Sequence, residues 1–257
     1  MRFSVIIPTW NEGRQITSSL KRLREISDES SMEVIVVDGG SKDKTVEFAQ
    51  SWADKVKVLE KPNRGGQLHA GAKMATGDLL FFLHADTQPP GNWQERLEKF
   101  WLKTHENPLA ATVFTVDYGN RFGLRMVASA QNARTRWFQI AYGDQGLCTS
   151  AEVYGKSGGF PEIPLMEDVE FSRRLRDVGT IEVLPERIWP SARRLRRYGV
   201  VLNSIFNQWI GLRHSLGAGP QVLWKRYYAK SDREPPPPPA LGDPDKHPFA
   251  YLRKKKR

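Results

Sequence analysis

The chain has 257 residues, 39% hydrophobic and 26% charged, enough to bury one α/β-sized core and ordinary for a globular protein rather than a disordered or fibrous one. A single cysteine, Cys148, excludes an internal disulfide framework and a cysteine-based zinc cluster. The net charge of +10 lies in the last quarter: from Pro190 onward 15 Lys and Arg face four Asp and Glu, leaving 24 basic and 25 acidic residues before it. That asymmetry speaks against a folded domain built to wrap nucleic acid.

The opening MRFSVIIPTW has no secretory leader pattern. No apolar run approaches the roughly 18–20 residues that a membrane span needs. The expectation is a cytoplasmic protein, soluble or peripheral on the inner face of the membrane. RFSVIIPT reads as a buried strand, followed by a helix from Asn11 with Ile16, Leu20, Leu23 and Ile26 at helical spacing. EVIVVD is a second buried strand, ending at Asp38 and a Gly-Gly-Ser turn, with a helix starting near Ser41. KVKVLE predicts a third strand, residues 65–75 a third helix, and DLLFFLHAD a fourth strand. This βαβαβαβ order predicts a doubly wound, mostly parallel sheet with helices on both faces. Ligands of such sheets sit outside the carboxyl ends of the strands. The polar residues there are Thr9, Asn11, Glu12, Asp38, Ser41, His84 and Asp86.

Beyond Pro89-Pro90 the pattern predicts a helix holding Trp93 and Leu97, a strand near residues 110–116, and a helix around 124–138. A glycine-bearing, charged loop region follows, then a helix from about Glu167 and a short strand IEVLPERIW. Residues 198–230 read as one or two amphipathic helices. The expected domain is 1–230, with a core of 1–190 and C-terminal helices over 191–230. A Pro-rich linker and basic tail, 231–257, follow.

Three elements carry chemistry. Asp38, at a strand end before Gly39 and Gly40, is placed to accept from a ribose or base edge, the alternative being a turn-forming Asp before glycine. His84 and Asp86 lie two apart, so in an extended chain they point the same way; Asp86 suits an oxygen-seeking Mg²⁺ or Mn²⁺, or caps the strand end. Glu167 and Asp168 open a helix, where carboxylates favour the dipole or serve as a general base. Asp144 and Gln145, between glycines, are candidate acceptor or sugar contacts. Arg64 contacts the nucleotide or lies on the surface. For Trp137 and Phe138 core packing outweighs sugar stacking.

P-T-W-N-E at 8–12, V-V-D-G-G-S-K-D-K-T at 36–45, R-G-G at 64–66, H-A-D at 84–86 and M-E-D at 166–168 together resemble family 2 glycosyltransferases. The resemblance covers roughly residues 2–185. SGGFPEIPLMEDVEFSRRL and GDQG look closest to a small, single-domain bacterial subgroup. The resemblance implies a GT-A fold binding a nucleoside-diphosphate sugar, a UDP-sugar foremost. Pro8, Glu12 and Asp38 would help hold the nucleoside, with Thr9, Gly39, Ser41, Arg64, Gly65 and His84 as further substrate contacts. Asp86 would bind the divalent metal, and Asp168, beside Glu167, would be the base of an inverting displacement. His84 stands where the family's metal motif usually has a first acid. The missing Q-x-x-R-W motif of processive synthases points to single-sugar transfer.

In the C-terminal helices, Val200, Val201, Ile205, Phe206, Trp209, Ile210 and Leu212 form an apolar stripe beside Arg193, Arg194, Arg196, Arg197 and Arg213. Packing on the core is the first expectation. A peripheral membrane contact, assisted by the basic tail, is the second. The rival functions are a nucleotidyltransferase on a related sheet and a non-catalytic protein binding anionic surfaces. Nucleic acid is not an expected partner, and the acceptor is open.

Overall fold

The computed structural model describes residues 1–103, 105–193, 195 and 199–229. The expected linker and tail over 231–257, and Arg194, Arg196 and Arg197, lie outside the described residues.

The strands β1 (Phe3–Thr9), β2 (Met32–Asp38), β3 (Lys55–Val58) and β4 (Leu79–Phe82) pair in parallel, in the order β3-β2-β1-β4. The central two, β1 and β2, are almost unbroken apolar runs because helices cover both faces of the sheet. Phe3, Val5, Ile7, Val34 and Val36 pack on one face with α1 (Ile16–Glu25), α2 (Thr45–Gln50) and α4 (Trp93–Trp101). Ile6, Ile35, Val37, Leu80 and Phe82 pack on the other with α3 (Arg64–Met74), α6 (Ala151–Lys156) and α7 (Glu167–Arg176). The period of two in each strand thus feeds two cores. Phe81 stacks on Trp93 at 4.8 Å between ring centroids and meets Phe114 edge-on at 6.1 Å.

The sheet continues through β7 (Leu147–Ser150), β6 (Leu109–Val116), β8 (Thr180–Pro190) and β5 (Thr87–Gln88). β7 runs antiparallel to both β4 and β6, and β5 antiparallel to β8, so this half is mixed rather than parallel. β8 pairs in parallel with β6, with a bulge where Phe114 faces Leu184 and Thr115 faces Arg187. The irregularity skips Pro185 and Glu186, the former having no N–H to give a ladder. Three more helices complete the fold: α5 (Phe122–Phe138), α8 (Val200–Ser215) and α9 (Pro220–Ala229).

Several expectations need correction. The first helix begins at Ile16, not Asn11, because Asn11 takes a left-handed φ of 54°. Its side chain accepts from Lys42 N at 2.9 Å and so ties two loops instead of capping a helix. The second helix begins at Thr45. The stretch read as a loop before Glu167 contains β7 and α6, whose N-cap is Ser150. Trp137 and Phe138 do not pack in the core; they are 78% and 61% exposed.

Candidate active site

The carboxyl ends of β1, β2 and β4 meet at one rim. Gln67, buried on α3, donates to Thr9 O and Val37 O, both at 2.8 Å, and stitches the ends of β1 and β2 together. A cavity of about 770 Å³ opens beside this rim. Its wall carries Pro8, Thr9 and Glu12 from the end of β1, Arg64 from α3, His84 and Asp86 from the segment after β4, Asp144, and Asp168 from α7. These eight sequence-predicted residues are brought together. The chain is not extended through 84–86, since β4 stops at Phe82; a turn there still presents both His84 and Asp86 to the cavity.

The other candidates stand behind the wall. Asp38 is fully buried, with Oδ1 accepting from Ser41 N at 2.7 Å and Oδ2 from Ser41 Oγ at 2.5 Å and Thr9 Oγ1 at 2.9 Å. It holds the loop that shapes the rim. Gly39 and Ser41 belong to that loop, and neither lines the cavity. Gln145 is buried and its Oε1 accepts from Thr135 Oγ1 at 2.8 Å and Tyr142 N at 3.1 Å. Gly65 lets α3 approach the 161–163 loop: a Cβ there would lie 2.0 Å from Pro161 O.

Met166 introduces the acidic pair in a left-handed conformation, φ 66°, which is uncommon for a non-glycine residue. Glu167 then turns inward, fully buried, and takes the Arg64 guanidinium. Burial raises its carboxyl above the usual range, Arg64 pulls it back, and neighbouring Asp168 raises it again. Its Oε2 has no hydrogen-bond partner among the described residues. Asp168 faces the cavity, and its Oδ2 accepts from Gly143 N at 3.1 Å. A Cβ at Gly143 would fall 2.4 Å from His84 Nε2, so any larger residue would have to displace the imidazole. His84, Gly143 and Asp168 are thus contiguous. The Asp144 carboxylate accepts from Tyr118 Oη and, at 2.6 Å, from Gln131 Nε2. Burial pushes its carboxyl up, against the lowering by these donors and Arg134.

The sequence reading missed several wall residues. Tyr118, Gln131 and Arg134 come from α5 and the turn before it, and Arg134 lies over the Tyr142 ring at 3.5 Å. Arg193 reaches in after β8, with NH2 at 3.4 Å from Asp86 Oδ2 and 3.6 Å from Glu12 Oε2. Asn203, Asn207, Trp224 and Tyr227 close the cavity from α8 and α9. Ile210 and Leu223 anchor those helices against Leu165, Met166 and Val169, so they pack on the loop and helix that carry the acidic pair. The expected core packing of the C-terminal helices is therefore present on one face. An uninterrupted acid-free, arginine-bearing run was the available signal for Arg134 and Arg193; nothing in their spacing marked them.

The divalent metal implied by the resemblance can be tested against the donors present. Among the described residues no group of three or more His, Cys, Asp or Glu is placed to hold an ion. Asp86 supplies one part-exposed carboxylate on the wall. That donor set fits Mg²⁺ or Mn²⁺ completing its shell with substrate phosphate and water, and does not fit an ion caged by protein alone. Three arginines around the same space suit a diphosphate.

The glycosyl transferase family 2 model matches residues 4–157. The chain belongs to that family. Among its relatives, a dolichol-phosphate mannosyltransferase of Pyrococcus furiosus is 37% identical over 95 residues, covering 35% of this chain and 27% of that protein. The chain spans about a third of the length of the curated relatives it matches. Among solved structures, the mannosyltransferase PcManGT of Pyrobaculum calidifontis, in complex with GDP-Man and Mn²⁺, superposes with a TM-score of 0.58 at 20% identity, over 98% of this chain and 73% of that one. TarS of S. aureus with UDP-GlcNAc gives 0.55 at 21% identity, over 72% and 56%. The fold is that of the GT-A glycosyltransferases. No helix among the described residues is long and apolar enough to cross a membrane.

Proposed function

We propose that this chain transfers a single sugar from a nucleoside-diphosphate sugar, a UDP-sugar foremost, to an acceptor hydroxyl with inversion. The observation that carries the reading is the convergence of Asp86 and Asp168 on one cavity whose wall also bears Arg64, Arg134 and Arg193. Membership of the family and the nucleotide-sugar complexes of its structural neighbours support it.

In this reading Pro8, Thr9 and Glu12 border the nucleoside, while Asp38, Gly39 and Ser41 shape the loop beneath it. Asp86 would hold the Mg²⁺ or Mn²⁺ ion. When bound, that ion offsets charge on the departing diphosphate. The acceptor oxygen attacks the anomeric carbon, the carbon–oxygen bond to the diphosphate breaks with its electron pair leaving on phosphate, and Asp168 takes the hydroxyl proton. Gly143 N, donating to Asp168, fixes the direction of that carboxylate. Glu167 acts through Arg64 as a positioning group. Asp144 and Gln145 belong to the sugar or acceptor side, Asp144 at the wall and Gln145 supporting it.

We further take residues 1–230 as one domain, since α8 and α9 complete the cavity. Cytoplasmic placement with a peripheral membrane contact belongs to the same reading. A panel of nucleotide sugars screened by thermal shift, with and without Mn²⁺, tests the whole. Stabilisation by one donor only when metal is present supports the reading; stabilisation by none contradicts it.

A further inference from the structure

Helix α5 buries Leu124 and Ala128 but otherwise divides its side chains against expectation. Its inward face is substantially polar: Gln131, Asn132 and Thr135 are buried, Asn132 bonding the backbone of Val116 and Gln131 bonding Asp144. Its outward face carries Phe122, Met126, Ala130, Ala133 and Trp137, at spacings of three and four that form one stripe about 22 Å long. Phe122 and Trp137 are each more than three-quarters exposed. α8 buries Ile210 in the apolar cluster beneath it, yet also leaves apolar side chains outside. Asn203 and Asn207 face the cavity, while Leu202, Ile205, Leu212 and Leu216 are exposed. The two helices meet where Gly123 lies against Val200. Water gives no reason for two adjacent helices to turn their large apolar side chains outward.

The charge around these stripes is mostly positive; Glu170, an acid bonded to α8, is paired with His214 and Arg173. Arg121, Arg125, Arg136 and Arg213 are exposed beside them. No Asp or Glu occurs between Asp117 and Asp144, nor between Glu186 and Asp232. The flanking Asp117 is already paired with Arg187, and Asp144 faces the cavity. Aromatic and aliphatic groups ringed by arginine match the interface of a bilayer with anionic headgroups. A second copy of this chain is a poor occupant, since it would set arginine against arginine. A nucleic acid would leave the apolar stripes unsatisfied.

We infer that the outward faces of α5 and α8 dock the protein on an anionic bilayer. Phe138, next to Trp137, both lies exposed and lines the cavity, so the docked face borders the cavity mouth. The consequence rests on the transferase reading: the acceptor hydroxyl is presented by a membrane-resident amphiphile.

The test sediments the full chain with phosphatidylcholine vesicles with and without phosphatidylglycerol. The chain is expected to pellet with the anionic vesicles only, and to be released by salt. Replacing Phe122, Met126 and Trp137 together by Ser is expected to lower partitioning about tenfold or more, with the melting transition and donor binding retained. A single Met126→Cys variant guards against misfolding of that triple variant. The native Cys148 is buried, so a polarity-sensitive fluorophore labels the new thiol alone. Its emission is expected to shift blue with anionic vesicles, and a label at Lys57→Cys on β3 is not. The inference is overturned by undiminished binding of the triple variant, by an unshifted label at position 126, by equal salt-sensitive binding to a DNA duplex, or by a label shift from self-association without lipid. Donor binding without vesicles is read in parallel. Intact donor binding with no vesicle binding sinks the docking face alone, and the reverse sinks the transferase reading alone.

Discussion

Glu33, near the amino end of the sheet, and Glu167 and Asp144, near its carboxyl end, are buried or part-buried carboxylates held in different ways. At the amino end, Glu33 on β2 is almost wholly buried, yet it accepts from Ser4 Oγ at 2.6 Å, from Thr76 N at 2.6 Å and Oγ1 at 2.9 Å, and pairs with Lys55 Nζ at 2.7 Å. Burial pushes its carboxyl up, but Lys55, Ser4 and Thr76 together outweigh burial and hold it at about 2. At the carboxyl end, Glu167 and Asp144 are raised by burial that their donors do not overcome. Glu33, like Asp38 at the other end, has donors on its oxygens and cements the fold. Glu167 keeps one oxygen without a partner among the described residues, and Asp144 is raised beside the cavity.

That contrast can be broken most forcefully at Asp168. Replacement by Asn is expected to cut turnover about 10²–10⁴-fold, with the melting temperature and donor binding unchanged; steady-state kinetics beside thermal shift checks it. At the other end, Glu33→Gln is expected to lower unfolding stability by about 2 kcal/mol after allowance for solvent screening of Lys55, without changing turnover. The sign follows from the lowered value: Glu33's contribution is present above the ordinary carboxylate value of about 4.5 and is lost as pH falls through about 2. Urea titrations across that window should show the wild type losing stability that the variant never had. Asp144→Asn should move stability in the opposite sense. Its raised carboxyl contributes stability below the ordinary value, lost as pH rises through the raised one. The neutral amide is expected to be unchanged or more stable by no more than about 1 kcal/mol at neutral pH, with that part of the pH slope gone. Arg193→Ala should be the mildest on the fold. Arg193 is half exposed and its contacts with Asp86 and Glu12 are loose, so less than about 0.5 kcal/mol is expected. A rise in the Michaelis constant for the donor would separate diphosphate binding from that small structural effect.

The same contrast explains what could be read from the residues. β1, β2, α3 and β4 were legible because a parallel sheet covered on both faces writes itself as apolar runs broken by turns. Strand-end positions then located Glu12, Arg64, His84 and Asp86 on one rim. The strand-end position of Asp38 points to the ligand, and spacing alone does not reveal its bonds to Thr9 and Ser41. β7 has only four residues, the last of them the capping Ser150, too few for a period to emerge. α5 misled for a deeper reason. Periodicity assumes that the apolar face turns inward, and here Gln131, Asn132 and Thr135 do so, leaving Trp137 outside. Arg134 and Tyr227 reach the cavity through long-range packing of α5 and α9, and Arg193 from the segment after β8, which no local pattern encodes.

The most direct test of the account is calorimetric titration of a UDP-sugar into the wild type, Asp86→Asn and Asp168→Asn proteins, each with and without Mn²⁺. The account predicts metal-strengthened binding in the wild type and in Asp168→Asn, and loss of that strengthening in Asp86→Asn alone. Equal metal dependence in all three proteins would contradict it.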